Sequence, residues 1–191
     1  MALSHQSRLF SVNDAGLYKL LTDPAGANPT YGSKVDVVGV QALTSTMEMD
    51  VKQLRGDNTL LAVDALFKDI KGKLTYGKFN FDLLTAVTTA TSTDSGVTPN
   101  QKTVATLGQF DLPVNWKLEA QSKQVDYVGG DVHFIYWKCI QNSMDMFGFS
   151  QEDYNGQGMD FMAMPLIGTP TGFPANAWAT AVANESQISI V

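Results

Sequence analysis

Met47-Glu48-Met49-Asp50-Val51-Lys52-Gln53-Leu54-Arg55-Gly56-Asp57-Asn58 alternates apolar and polar side chains and then runs into a turn. Successive side chains of an extended chain point to opposite faces, so Met47, Met49 and Val51 share one face and Glu48, Asp50 and Lys52 the other. Beyond the turn, Leu61, Val63, Ala65 and Phe67 alternate with Ala62, Asp64, Leu66 and Lys68. Two alternating runs joined by a Gly/Asp/Asn turn predict an antiparallel hairpin with strands over 47–54 and 60–70. Arg55-Gly56-Asp57 also matches a cell-adhesion tripeptide, but Gly and Asp are what a tight turn requires, and the turn accounts for them.

Strand patterns dominate the rest of the chain. Val114, Trp116, Leu118 and Ala120 alternate with Asn115, Lys117, Glu119 and Gln121. Residues 132–140 are rich in aromatic and β-branched side chains and follow Gly129-Gly130, which predicts a strand covered on both faces. Met159, Phe161 and Ala163 begin another strand that Pro165 ends. Residues 187–191 read as a last strand or an arm. One helix is predicted, capped by Asn80, with Asp82 in its first turn and Leu83, Leu84, Val87 and Ala90 at helical spacing. It fades in the Thr-rich run 88–93 and ends before Gly96. Residues 22–33, 91–101 and 168–180 read as loops, and such lengths, unusual inside a compact domain, mark segments that are functional or disordered. The sum is one mainly β domain over 1–191, with a single α-helix and long loops.

Composition narrows the role. The chain has 191 residues, enough for one full hydrophobic core. Only 17% of residues are charged, and the net charge is −6. That balance argues against a surface that grips nucleic acid or anionic lipid, since both need clustered Lys and Arg. It does not argue against a wall past which DNA slides without sticking, since like charge lowers adhesion. The single cysteine, Cys139, excludes an intrachain disulfide and fits a reducing compartment. Residues 1–10 lack the apolar core of a signal peptide, and no run approaches the roughly 20 apolar residues of a membrane span. The expectation is a soluble protein made in the cytoplasm.

No constellation for catalysis emerges. The histidines are His5, near the terminus, and His133, in the aromatic strand, where it reads as a packed, hydrogen-bonded residue. Cys139 lies six positions from His133, so on a regular strand the two share a face but stand about 20 Å apart. Zinc would need clustered Cys and His. Glu152, Asp153, Asn155, Gly156 and Asp160 lack the alternating ligand series and closing Glu of a calcium loop and read as a polar turn. No phosphate-binding Gly motif is present. No catalytic residue, metal or cofactor is predicted. Met144, Met146, Met159, Met162 and Met164 read as core filling, with an adaptable interface as the alternative.

The order of features resembles the major tail proteins, or tail tube proteins, of long-tailed bacteriophages. The resemblance is carried by Leu54-Arg55-Gly56-Asp57-Asn58 after a strand, then Gly77-Lys78-Phe79-Asn80-Phe81-Asp82-Leu83-Leu84 opening the helix. Gly158-Met159-Asp160-Phe161-Met162-Ala163-Met164-Pro165 comes later, and the likeness covers residues 35–168. It implies a β-sandwich or half-barrel flanked by a helix, with long loops and terminal arms. Six copies would form a ring, and stacked rings a virion tube that conducts phage DNA during ejection. Partners would be further copies, the tape measure protein and the tail terminator, with assembly in the host bacterial cytoplasm and no membrane or enzymatic activity. On that reading Glu48, Asp50 and Asp64, opposite the apolar faces of their strands, face the lumen, and Lys52 and Lys68 share their side. Tyr31, Phe173 and Trp178 in the long loops make inter-subunit or stacking contacts, and 182–191 is a C-terminal strand or arm. Two other readings stay open. One is a tube or adaptor protein of a related contractile injection machine. The other is a small β-sandwich carbohydrate-binding module using Trp116, Trp137, Trp178, Tyr127 and Tyr136.

Overall fold

A computed structural model of the chain describes residues 8–56, 59–124, 129–145 and 156–190. Among these residues the chain forms β1 (Leu9–Thr22), β2 (Thr30–Asp36), β3 (Val40–Gly56), β4 (Thr59–Tyr76), α1 (Phe81–Val87), β5 (Thr91–Ser95), β6 (Lys102–Thr106), β7 (Trp116–Gln124), β8 (Asp131–Met144), β9 (Gln157–Ala163) and β10 (Ala179–Asn184). β5 and β6 pair as a separate hairpin, and the other eight strands make one antiparallel sheet in the order β2-β1-β7-β8-β9-β4-β3, with β10 on β8. β8 is the hub. β7 lies along one of its edges, while β10 and β9 share the other end to end, at Asp131–Tyr136 and Cys139–Met144. The sheet curls until β3 packs on β1 without pairing with it. The result is a sandwich-like fold and not a closed barrel, mainly β with one short helix, as the alternating patterns predict.

The concave face holds the main core. Ala15, Leu17, Leu74, Tyr76, Trp116, Leu118, Met159 and Phe161 are sealed from solvent there. Trp116 and Tyr136 meet the Phe161 ring edge-on at 5.5 and 5.4 Å between centroids. Burying a large apolar side chain contributes about 1.5–3 kcal/mol, so these rings dominate the core. On the convex side Ile135 and Trp137 of β8 pack with Leu166 and Ala177, flanked by Tyr31, Phe173 and Val182. Both faces of β8 are therefore covered, as its continuous apolar run predicts.

Asn80 caps α1, its side chain accepting from Asp82 N at 2.9 Å, and its amide also donates to the Asp36 carbonyl at 3.1 Å. The helix stops earlier than the Thr-rich fade over 88–93. The Thr88 hydroxyl donates to the Leu84 carbonyl at 2.7 Å and Thr89 bonds to Asp111 and Leu112, which draws the chain out of the helix.

Several boundaries differ from the sequence expectation. The hairpin strands extend to Val40 and Tyr76. The stretch 91–101, expected as loop, contains β5, because residues 102–106 return alongside it. β1 arises where no strand is predicted, since shifts in pairing around Val12 interrupt its alternation, and β2 takes in the end of the predicted loop 22–33, because residues 30–36 pair with β1. β10 forms at Ala179–Asn184, overlapping the predicted loop 168–180, whereas residues 187–190 form no strand. A shift in register between Trp116 and Leu118 of β7, opposite Cys139 and Tyr136, bulges β8. His133 and Cys139 are thus on opposite faces rather than the same one, with Cys139 in the main core. Asp57, Asn58, Tyr127, Met146, His5 and most of the acidic turn at 152–160 lie outside the described residues.

Candidate assembly surface

β9 pairs with β4 only from Ile70 to Tyr76. Residues 59–69 of β4 and their partners in β3 leave the sheet as a two-stranded ribbon about 35 Å long at about 3.4 Å per residue. Cross-strand register sorts its side chains. Met49 opposes Phe67, Val51 opposes Ala65 and Gln53 opposes Val63, with Met47 beyond them, so one face is apolar. Lys52 opposes Asp64, Asp50 opposes Leu66, and Glu48 lies on the same side, so the other face is mixed and charged. The apolar face is largely uncovered, with Met49 58% and Val51 52% exposed; Leu54 near the tip is exposed on the other, charged side, opposite Ala62. Two strands alone are marginal in water, so a ribbon of this length gains from a surface to lie on. The outer edge of β3 also faces no strand among the described residues, leaving backbone donors and acceptors along it.

The charged face is internally paired. Lys71 contacts Glu48 at 2.8 Å, Lys68 contacts Glu48 at 3.6 Å and Lys52 contacts Asp50 at 3.9 Å. Hydrogen bonding from Lys71 holds the Glu48 carboxyl below its usual range. Glu48, Asp50 and Asp64 are thus on one face, opposite the apolar one, as their positions in the sequence predict.

Tyr31, Phe173 and Trp178 all have partners within the chain. The Tyr31 hydroxyl donates to the Trp137 carbonyl at 2.9 Å, and the Phe173 ring lies 5.1 Å from the Trp137 ring. Trp178 meets Phe67 edge-on at 4.5 Å, at the root of the ribbon. Tyr31 lies in β2 and not in a loop, and the segment leading into it is braced to the loop that carries Phe173 and Trp178 through Asp23. Its carboxylate accepts from Gly168 N at 2.8 Å and Ile167 N at 3.1 Å and pairs with Lys138 Nζ at 2.8 Å. Burial alone would raise the Asp23 carboxyl, but these donors overcome it and hold the carboxyl low. Gly168 is required by the brace, because a Cβ there would lie 2.7 Å from the Ala27 carbonyl oxygen.

A second apolar group was not legible in the sequence. Val97, Leu107, Phe110 and Leu112, in and after the β5–β6 hairpin, stand in solvent, and Phe110 is 87% exposed. The signal was present as Phe110-Asp111-Leu112 in an otherwise polar stretch.

The other chemical candidates are held inside the fold. Burial pushes the Cys139 thiol well above its usual range, away from nucleophilic use. His133 lies between Glu119 Oε1 at 2.9 Å and Asp131 Oδ2 at 3.2 Å on the convex face. Among the described residues no group of three or more His, Cys, Asp or Glu is placed to hold a metal ion, and no helix is long and apolar enough to cross a membrane. Trp116, Tyr136 and Trp137 are buried, so none presents a ring face for stacking on a sugar. A cavity of about 420 Å³ opens where the sheet fails to close between β1 and β3, with Leu9, Val12, Leu43 and Phe134 beside Ser45, Ser122 and Tyr136. No family model matches this sequence, and no curated protein does.

Proposed function

We propose that the chain is a structural subunit of a phage-type tail tube, which assembles in rings of six copies stacked around a passage for DNA. The observation that carries this reading is the projecting β3–β4 ribbon, apolar on one face and charged on the other. Its apolar face supports burial against a neighbouring copy, because an uncovered Met/Val surface on a solvent-borne ribbon gains free energy from any apolar cover. The unpaired edge of β3 supports the same reading, since ring closure is one of the ways proteins remove sheet edges. Glu48, Asp50 and Asp64, on the opposite face, then line the lumen. Pairing of Lys52, Lys68 and Lys71 with carboxylates leaves few free cations there to hold phosphate, which favours sliding over binding. The motif order from the strand before Leu54 to Pro165 supplies the specific family within this class.

Negative-stain electron microscopy of the purified protein tests the proposal. Rings about six subunits in circumference, or stacked tubes, are the expected result. Monodisperse monomers at all concentrations would sink it.

A further inference from the structure

We propose that residues 185–190 form a pH-operated latch across the convex face of the sheet, closed by the doubly protonated ring of His133. The inference stands independently of tube assembly.

After β10 the chain turns and crosses β8 and β7 toward β2. Its attachments converge on one backbone unit. Ile188 N–H donates to Asp131 Oδ2 at 2.8 Å, while the Ile188 carbonyl accepts from His133 Nε2 at 2.9 Å and Gln121 Nε2 at 3.0 Å. Further on, the Ile190 carbonyl accepts from Lys34 Nζ at 2.9 Å, and the Ile190 side chain is buried.

The surroundings of His133 decide its protonation. Nδ1 faces Glu119 Oε1, and Nε2 faces Asp131 Oδ2 and the Ile188 carbonyl. All three neighbours are acceptors, so only a ring with both N–H groups satisfies them. A neutral ring would aim a lone pair at a carboxylate or at the latch carbonyl, a buried mismatch. Lys123 stands opposite Asp131 on β7 with its side chain exposed, and the remaining charged groups nearby are engaged. On β7, Lys117 contacts the second oxygen of Glu119 at 3.1 Å. On β1 and β2, Asp14 and Asp36 flank Lys34 at 3.2 and 2.9 Å. Asp131 on β8 also accepts from Asn184 Nδ2 at 2.8 Å and from Gln121. Glu185, on the latch itself, is exposed.

The direction follows from these contacts. Burial would lower the His133 pKa, but Glu119 and Asp131 outweigh it and raise the value above 6.5. Glu119 and Asp131 belong to β7 and β8 and face His133 with the latch open or closed, so what closing adds for the charged ring is the Ile188 carbonyl, a contribution present while the ring is charged and lost as pH rises through the raised value. Lys34 does not open the latch in that window, since Asp36 and Asp14 overcome its burial and hold its pKa above 10.5.

Electron paramagnetic resonance on the full chain, with a nitroxide at Ser189→Cys, reports latch motion. Ser189 is exposed and the native Cys139 is fully buried, so the label goes to position 189 alone. Between pH 6 and 9.5 the spectrum should change from immobilised to mobile, with a midpoint matching the His133 ring titration followed by NMR. Glu119→Gln should lower that midpoint by about one pH unit through loss of a facing carboxylate, and His133→Gln should abolish the transition. A label that stays immobilised to pH 9.5, or a midpoint that Glu119→Gln leaves in place, would overturn the proposal even if His133→Gln does not fold.

Discussion

The Phe161 ring lies directly against the α-carbon of Gly72, its cross-strand partner between β9 and β4; a Cβ on Gly72 would stand 2.6 Å from Phe161 Cε1. The absent side chain is what lets the ring enter the core and meet Trp116 and Tyr136. Gly72→Ala should therefore destabilise the fold by about 1–3 kcal/mol, the usual range for overpacking. Urea denaturation of Gly72→Ala, Phe161→Leu and the double variant checks this. The double variant should lose less than the sum of the single losses, because Leu vacates the space the new methyl needs.

Asp23 should be a stability determinant. Asp23→Asn removes the charge that compensates half-buried Lys138, at a cost of about 2–3 kcal/mol near neutral pH. The Asp23 carboxyl is held below its ordinary 3.8, so its contribution is present above that value and is lost as pH falls through the lowered one. Thermal melts from pH 6 to pH 2 should show the gap between wild type and variant closing at the acid end. A gap that persists at pH 2 would contradict this.

The apolar face of the ribbon should be dispensable for folding and required for assembly. Met49→Asp with Val51→Asp places two charges on exposed positions, so monomer stability should change by no more than about 0.5 kcal/mol per site. Sedimentation and electron microscopy should nevertheless show loss of rings.

The charged face should govern DNA passage. Asp50→Lys with Asp64→Lys adds unpaired cations to that face, and tubes of this variant should retain DNA in a salt-dependent manner. Filter binding across salt concentrations measures it. Wild-type tubes should release DNA at every concentration.

The N-cap of α1 should contribute measurably. Asn80→Ala removes the bond to Asp82 N and the tie to the Asp36 carbonyl, and should cost about 1–2 kcal/mol. Chemical denaturation reads this directly.

How much of this was legible depended on periodicity. Met47 to Phe67 alternates cleanly, and its hairpin and the two faces of the ribbon followed from the letters. Asn80 and Asp82 announced a helix start because capping is local chemistry. β1 was hidden because register shifts near Val12 break its period, and Ser11 takes a positive φ of 59° there. β10 was hidden for another reason: Ala179, Ala181 and Ala183 have weak strand preference, and the strand exists because β8 offers it an edge. The Glu119–His133–Asp131 cluster joins residues distant in sequence, yet one clue was available. Asp131 and His133 share a face of a strand that reads as buried on both sides, and buried polar groups need partners. What nothing local could give was the bulge that separates Cys139 from His133, since it arises only when β7 pairs with β8.

The register of the sheet also sets a timetable for the newly made chain. Gly16 pairs with Glu119 and Leu74 with Met159, contacts spanning about a hundred residues, and topologies of this kind close in milliseconds to seconds. The β3–β4 and β5–β6 hairpins join near neighbours and form in microseconds. The ribbon hairpin therefore forms first and, being marginal alone, opens and closes until β9 arrives to anchor its root. During that interval its apolar face and free strand edge are open to contact with other nascent chains.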